Sequence, residues 1–177
     1  MKSWLVVFFA LVILGTMPAD GPLRKELQQQ WSYVSFDNPQ VSFLLRRQPD
    51  QASVGDLGFD ATYCKDDEAI FCFEVAGVKF AVPKDFEASK TIRTWSFHGH
   101  SFIATPMRFQ PAILGQRLDV VYIDSVGQKL RFFYSRKRGL IGMKRLEEDS
   151  QPTLLLEEFC GFAAAKNCGE SEGRSRP

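Results

Sequence analysis

Residues 118–146 read LDVVYID, SVGQ, KLRFFYS, RKRG, LIGMKRL. Three short apolar runs are joined by two turn-like tetrapeptides, the pattern of a three-stranded antiparallel meander. Alternation in the middle run puts Arg131, Phe133 and Ser135 on one face and Phe132 and Tyr134 on the other. Val120, Tyr122, Phe132, Tyr134 and Ile141 are the residues this stretch is expected to give to a core.

The same grammar extends upstream. Residues 31–36 (WSYVSF) alternate and end at the turn signal Asp37-Asn38-Pro39, and residues 41–45 form the next apolar run. Residues 46–56 (RRQPDQASVGD) are polar and contain Pro and Gly, so they read as an exposed loop. Residues 59–63 and 69–75 flank Lys65-Asp66-Asp67-Glu68, a hairpin with an acidic tip. FCFEVAGVKFAV then turns at Ala76-Gly77 and stops at Pro83. Residues 92–97 and 101–105 flank His98-Gly99-His100. Pro106 and Pro111 bracket MRFQ and confine it to a short or edge strand.

Downstream, residues 147–152 form a charged loop and residues 153–159 read as a strand. A helix from 153 through 168 would hold Cys160 and Cys168 about 12 Å apart, too far for a bridge between them. A single helical turn over 162–166 remains compatible with that bridge. About eleven short strands with Gly, Pro and Asp joints indicate an all-β, single-domain antiparallel sandwich or barrel. A short N-terminal helix or arm precedes it. The alternative is an α+β fold whose N- and C-terminal pieces are helical.

Four cysteines, Cys64, Cys72, Cys160 and Cys168, fall into two pairs of identical spacing. An even count in an exported chain argues for disulfides. Local pairing, 64–72 and 160–168, is the simplest connectivity, though the two crossed pairings satisfy the count equally. Each local bridge would stabilise by about 2.5 kcal/mol in the chain-entropy picture.

Residues 4–14 are an unbroken apolar run behind Lys2, interrupted by Gly15 and Pro18. This is the layout of a secretory signal peptide, with cleavage expected after Ala19 despite the bulk of Met17 at the minus-three position. The run is shorter than the roughly 20 apolar residues that span a bilayer. Anchoring in a membrane by residues 4–17 is the alternative. The expected organisation is a signal peptide over 1–19, an arm or short helix over 20–30, a β domain over 31–168 and a flexible tail over 169–177. Localisation is then periplasmic or extracellular.

Composition excludes several classes. The chain is 45% hydrophobic with 16 Phe, so its body is not disordered. A net charge of +1 removes it from the generic polyanion binders, and no nucleic-acid partner is expected. No G-x-S-x-G elbow, P-loop or dinucleotide glycine pattern is present. Oxidised cysteines remove a thiol nucleophile. The acidic pairs lie in polar runs rather than in settings that tune a pKa. The balance is against catalysis.

Two surfaces remain. His98 and His100, the only histidines, would share a face if both lay on one strand, and could then hold one Zn or Cu ion with a third ligand. A turn at Gly99 would separate them. No cofactor is the primary expectation; a metal-binding or hydrolytic protein using these histidines is the alternative. The second surface is the basic set Lys129, Arg131, Arg136, Lys137, Arg138, Lys144 and Arg145, with aromatic residues interleaved. It suits an anionic envelope component or acidic protein. A charged turn tip and protected strand edges would explain the same residues structurally. The functional expectation is an exported, disulfide-bonded β domain that binds a partner without catalysing a reaction.

Overall fold

The computed structural model describes residues 29–35, 37–47, 50–65, 68–87, 91–107, 112–113, 116–146, 153–166 and 168. Its first six strands are β1 (Gln30–Ser35), β2 (Ser42–Arg47), β3 (Asp50–Val54), β4 (Leu57–Tyr63), β5 (Ile70–Val75) and β6 (Val78–Pro83). There follow β7 (Arg93–Phe97), β8 (His100–Pro106), β9 (Ala112–Ile113) and β10 (Gln116–Arg117). The last four are β11 (Val120–Ser125), β12 (Leu130–Ser135), β13 (Gly139–Arg145) and β14 (Leu154–Leu156). The fold is all-β, with no helix among the described residues.

Residues 118–146 form the expected meander, β11-β12-β13. It is one arc of a 12-stranded antiparallel sheet ordered β6-β5-β4-β3-β2-β1-β14-β13-β12-β11-β8-β7. β9 and β10 make a separate two-stranded ribbon. The sheet is two meanders joined by one short strand. β14 pairs with β1 on one side and β13 on the other. This close insertion needs Gly142, where a Cβ would lie 2.7 Å from the Leu154 carbonyl oxygen.

The sheet curls until its edges, β6 and β7, face each other, giving a nearly closed barrel. Side chains bridge the remaining seam. The Trp95 indole N–H donates to the Ala81 carbonyl at 3.2 Å. The Gln128 amide both accepts from the Lys79 N–H and donates to the Lys79 carbonyl, standing in for a paired strand residue. Lys79 and Ala81 therefore turn their main-chain polar groups away from β5. Pro83 lies in the same alternation, so its missing N–H would also have pointed away from β5 and removes no ladder bond.

Inward positions alternate along most of the strands. Tyr33, Phe43, Leu45, Phe73, Phe80, Phe102, Ile123 and Phe132 are buried in one continuous core. Phe80 sits among the rings of Phe73, Phe132, Tyr134 and Phe162 at 5.0–6.2 Å between centroids. Phe132 and Tyr134 meet their expectation. Val120 and Ile141 are buried in a second cluster with Leu118 instead. Ile141 is the extra residue of a bulge, where Tyr134 pairs with Leu140 but Phe133 with Gly142. Tyr122 is half-buried and faces outward against Phe133.

The structure corrects the reading of residues 46–56 as a loop. Asp50–Val54 is a strand paired with both β2 and β4. Ala52 is its one buried side chain, so the strand is held by its ladder bonds and leaves no apolar alternation to read. The segment 162–166 forms turns, not a helical turn. β1 starts at Gln30, one residue inside the expected arm. Residues 20–28 of that arm, the signal segment, MRFQ from Arg108 onward, the charged loop 147–152 and the tail from Gly169 lie outside the described residues.

Candidate binding site at the disulfide-bridged mouth

Both bridges are local: Cys64–Cys72 and Cys160–Cys168, with Cα atoms 5.1 and 5.9 Å apart. The first clamps the β4–β5 hairpin near its tip, where the Cys64 N–H also donates to the Cys72 carbonyl. The second closes a loop that follows β14 and folds back over the same end of the barrel. Phe162, from that loop, is buried against Trp31, Tyr63 and Phe73 with centroids 5.1–5.9 Å apart. The loop is a plug.

Its seat is the β12–β13 tip. Leu140 N–H donates to the Phe162 carbonyl, Gly161 N–H to Arg138 and Ala165 N–H to Arg136. Contact is so close that a Cβ on Gly139 would lie 2.3 Å from the Phe162 oxygen, and one on Gly161 2.0 Å from the Leu140 oxygen. Gly139 also has φ +76°, a conformation that side chains resist. The Tyr33 hydroxyl donates to the Leu140 carbonyl and accepts from the Phe162 N–H, and the Tyr134 hydroxyl donates to Ala163. Burial raises the pKa of Tyr33 well above the ordinary phenol value. It pushes Tyr134 up to about 12, which nearby Arg136 partly opposes.

Between plug and wall lies a cavity of about 520 Å³. Trp31, Tyr63, Phe71 and Phe162 line it, together with both disulfides and the small residues Ala163, Ala164 and Ala165. Arg47, Lys65, Lys84 and Lys166 also line it, and no carboxylate does so among the described residues. Two of the cations occupy positions that continue inward-facing alternation. Arg47 follows buried Leu45 by two residues on β2, and Lys84 follows buried Val82 by two at the end of β6. The Lys84 ammonium stands 5.2 Å from the centroid of Phe71. The Tyr63 hydroxyl donates to the Arg46 carbonyl, and burial raises its pKa first, with Asp50 adding to the effect.

The basic residues of the meander do not form one surface. Arg138 is only 4% exposed. Its guanidinium donates to the carbonyls of Phe159 and Glu158 and lies over the Phe159 ring, fastening the plug. Burial lowers its pKa. Arg131 is gripped by both carboxylate oxygens of Asp124, at 2.6 and 2.8 Å, and covers Tyr122. That bond raises its pKa. Arg136 reaches Glu87 at 3.0 Å. Lys144 sits opposite Arg131, and Arg145 opposite Leu130. Lys129, in the β11–β12 turn, and Arg145 lie at the other end of the barrel from Arg136, Lys137 and Arg138, about 20 Å away along β12. Glu158 spends its carboxylate on the Ser32 N–H.

The histidines lie at the end opposite the plug. His98 and Gly99 are the central residues of the β7–β8 turn, with φ +45° and +75°. His98 stacks on Phe97 at 3.9 Å, while His100 begins β8 opposite Phe97. The turn arrangement, not a shared strand face, is the geometry adopted. No group of three His, Cys, Asp or Glu side chains suited to a metal occurs among the described residues.

The cavity cations stand at positions 47, 65, 84 and 166, so no local cluster announces them. The only signal was the inward parity of Arg47 and Lys84, which needs the strand register to be read. Comparison with known proteins gives no relative: no family model matches the chain, and neither the curated proteins nor the solved structures contain a match. Two disulfides fit an oxidising environment. Among the described residues, no helix is long and apolar enough to cross a membrane.

Proposed function

We propose that this chain is an exported, non-catalytic binding module that takes a small ligand in the cavity at its disulfide-bridged mouth. The observation that carries the reading is the cavity itself. Its volume of about 520 Å³ falls within the range of roughly 300–1,000 Å³ usual for small-molecule sites. Its walls join aromatic surface, which supplies desolvation, to a few polar groups, which supply orientation. Two disulfides and the glycine-packed plug preorganise those walls, which lowers the ordering cost of binding.

The test is a titration of the purified, disulfide-intact protein with the neutral fluorophore N-phenylnaphthylamine, following both probe emission and Trp31 quenching. The unmodified protein is expected to bind it at a single site. Ala165→Trp, which fills the cavity from the plug side, should weaken binding at least tenfold without changing the thermal midpoint by more than a few degrees. Equal binding by both proteins would remove the cavity as the site. Export is tested by mass analysis of the mature protein, expected to begin at Asp20; an intact Met1 would argue for anchoring instead.

A further inference from the structure

The plug falls into two parts that the barrel holds very differently. Its stem, residues 158–162, is fastened at the Glu158 and Phe159 carbonyls by the Arg138 guanidinium. Main-chain bonds at Gly161 and Phe162 and the Tyr33 hydroxyl hold the rest of it, and Gly161 and Phe162 are buried. The flap, residues 163–166 with Cys168, lines the cavity and has much less to hold it. Its base is the Ala163 carbonyl, which accepts the Tyr134 hydroxyl. Beyond that, one bond ties it to the barrel among the described residues: the Ala165 N–H donates to the Arg136 carbonyl at 3.2 Å. Ala163, Ala164 and Ala165 have little apolar surface to bury, and Lys166 is exposed.

Stem and flap meet at Ala163, where φ is +61°. The other non-glycine residues of positive φ among those described, Ala76, His98 and Lys129, lie in turns between paired strands that call for that conformation. Ala163 joins no strands. It holds a side chain in a left-handed conformation that relaxes once the segment after it lets go. What keeps the flap closed is the Cys160–Cys168 bridge, which ties its far end back to the stem. Both of these cysteines are partly exposed, whereas Cys72 of the other bridge is 8% exposed and pairs with Ala81 inside the β5–β6 ladder. A reductant therefore reaches the latch of the flap first.

Resting on the binding reading above, we propose that residues 163–166 are a redox-gated flap: a dithiol opens Cys160–Cys168, the flap swings out about Ala163, and the cavity releases its ligand. A thiolate of the dithiol attacks one sulfur of the bridge, and the other sulfur leaves as a thiolate and takes up a proton. The second thiol of the reductant then resolves the mixed disulfide. Two electrons and two protons pass to the protein, which gains two thiols, and the dithiol ends as a disulfide. The stem keeps Phe162 in the core, so the barrel stays folded while the cavity loses its wall of alanines.

The disulfide-intact protein is compared with itself after brief treatment with dithiothreitol, alkylation and mass mapping of an aliquot locating the thiols. A second comparison is the double variant Cys160→Ser, Cys168→Ser, which lacks the latch without any reductant. Hydrogen exchange reads the Ala165 amide against those of Gly161 and Leu140, and N-phenylnaphthylamine reads the cavity. In both unlatched forms the Ala165 amide is expected to lose protection about tenfold or more, and Gly161 and Leu140 less than about threefold. Probe dissociation should quicken about fivefold or more as the wall opens. Reduced Ala163→Gly, which accepts positive φ without a side-chain cost, should keep the Ala165 amide about twofold or more better protected than the reduced unmodified protein. Equal losses at all three amides would mean that the plug unseats as one piece, and no loss at Ala165 that the bridge latches nothing; either result overturns the proposal, as would reduction of Cys64–Cys72 first. If the probe binds the intact protein but leaves every form at the same rate, the gate falls and the binding reading stands. If the probe does not bind the intact protein, the binding reading falls and takes the gate with it.

Discussion

Tyr33 shows how one buried hydroxyl can serve three parts of a chain. It lies in β1, donates to Leu140 in β13 and accepts from Phe162 in the plug. Replacing it by Phe keeps the ring and its packing but leaves a buried carbonyl and a buried N–H without that partner. Tyr33→Phe is expected to lower stability by about 1–3 kcal/mol, read as a lower urea midpoint at unchanged slope. The buried phenols also set a pH limit. Tyr134 titrates near 10 when unfolded and at about 12 when folded, and Tyr33 is raised further. Below pH 10 both states hold these protons, so the stabilisation is fully present. Above it the unfolded chain releases them while the folded one retains them, and stability falls by about 1.4 kcal/mol per pH unit for each such group. Thermal midpoints should therefore drop between pH 10 and 12 more steeply than those of Tyr134→Phe; parallel curves would refute the assignment.

At the scale of the element, the plug depends on glycines at positions where even a methyl group has no room. Gly77 and Gly139 make a controlled comparison, since both have positive φ, +80° and +76°. A Cβ on Gly77 meets nothing within 4 Å, whereas one on Gly139 meets the Phe162 oxygen at 2.3 Å. Gly77→Ala should cost only the backbone term, about 1–2 kcal/mol. Gly139→Ala carries the same term and must also push the plug away, so its cost should exceed that by at least about 2 kcal/mol. Equal melting temperatures would show that the plug yields easily.

The elements differ in how openly the sequence states them. The hairpin at Ala76-Gly77 and the strand preceding Cys160 follow from turn residues, alternation and chain geometry, all local properties, whereas the local cysteine pairing was the simplest of three connectivities and the turn at Gly99 one of two arrangements, and the structure selects both. β3 was missed because its burial is a single alanine. The destination of the RKRG tip was missed for a different reason. Residues 136–138 look like a solvated turn until residues 158–165 arrive to cover them, and that approach belongs to the tertiary fold. The candidate cavity was illegible on the same grounds, since its four cations come from four separate segments.

Across the whole molecule, the unsolved problem of a curled open sheet is its two edges. A free edge exposes unpaired N–H and C=O groups that invite another strand. Here β6 and β7 approach without completing a ladder, and the bridging groups come from side chains: Gln128 on Lys79 and Trp95 on Ala81. Phe86 fills the gap between the edges, in ring contact with Trp95 and Tyr134. Such a seam should open more readily than the rest of the wall, because side-chain links lack the cooperativity of a continuous ladder. Gln128→Ala removes both bonds to Lys79 while leaving the core untouched. Native-state hydrogen exchange should then show the Lys79 amide losing protection by about tenfold or more, matching the loss of roughly 1–2 kcal/mol of local hydrogen bonding. Amides of the β11–β12–β13 meander should keep theirs. Uniform loss throughout the sheet would mean that the barrel opens as one unit, and that the seam is as cooperative as the ladders it interrupts.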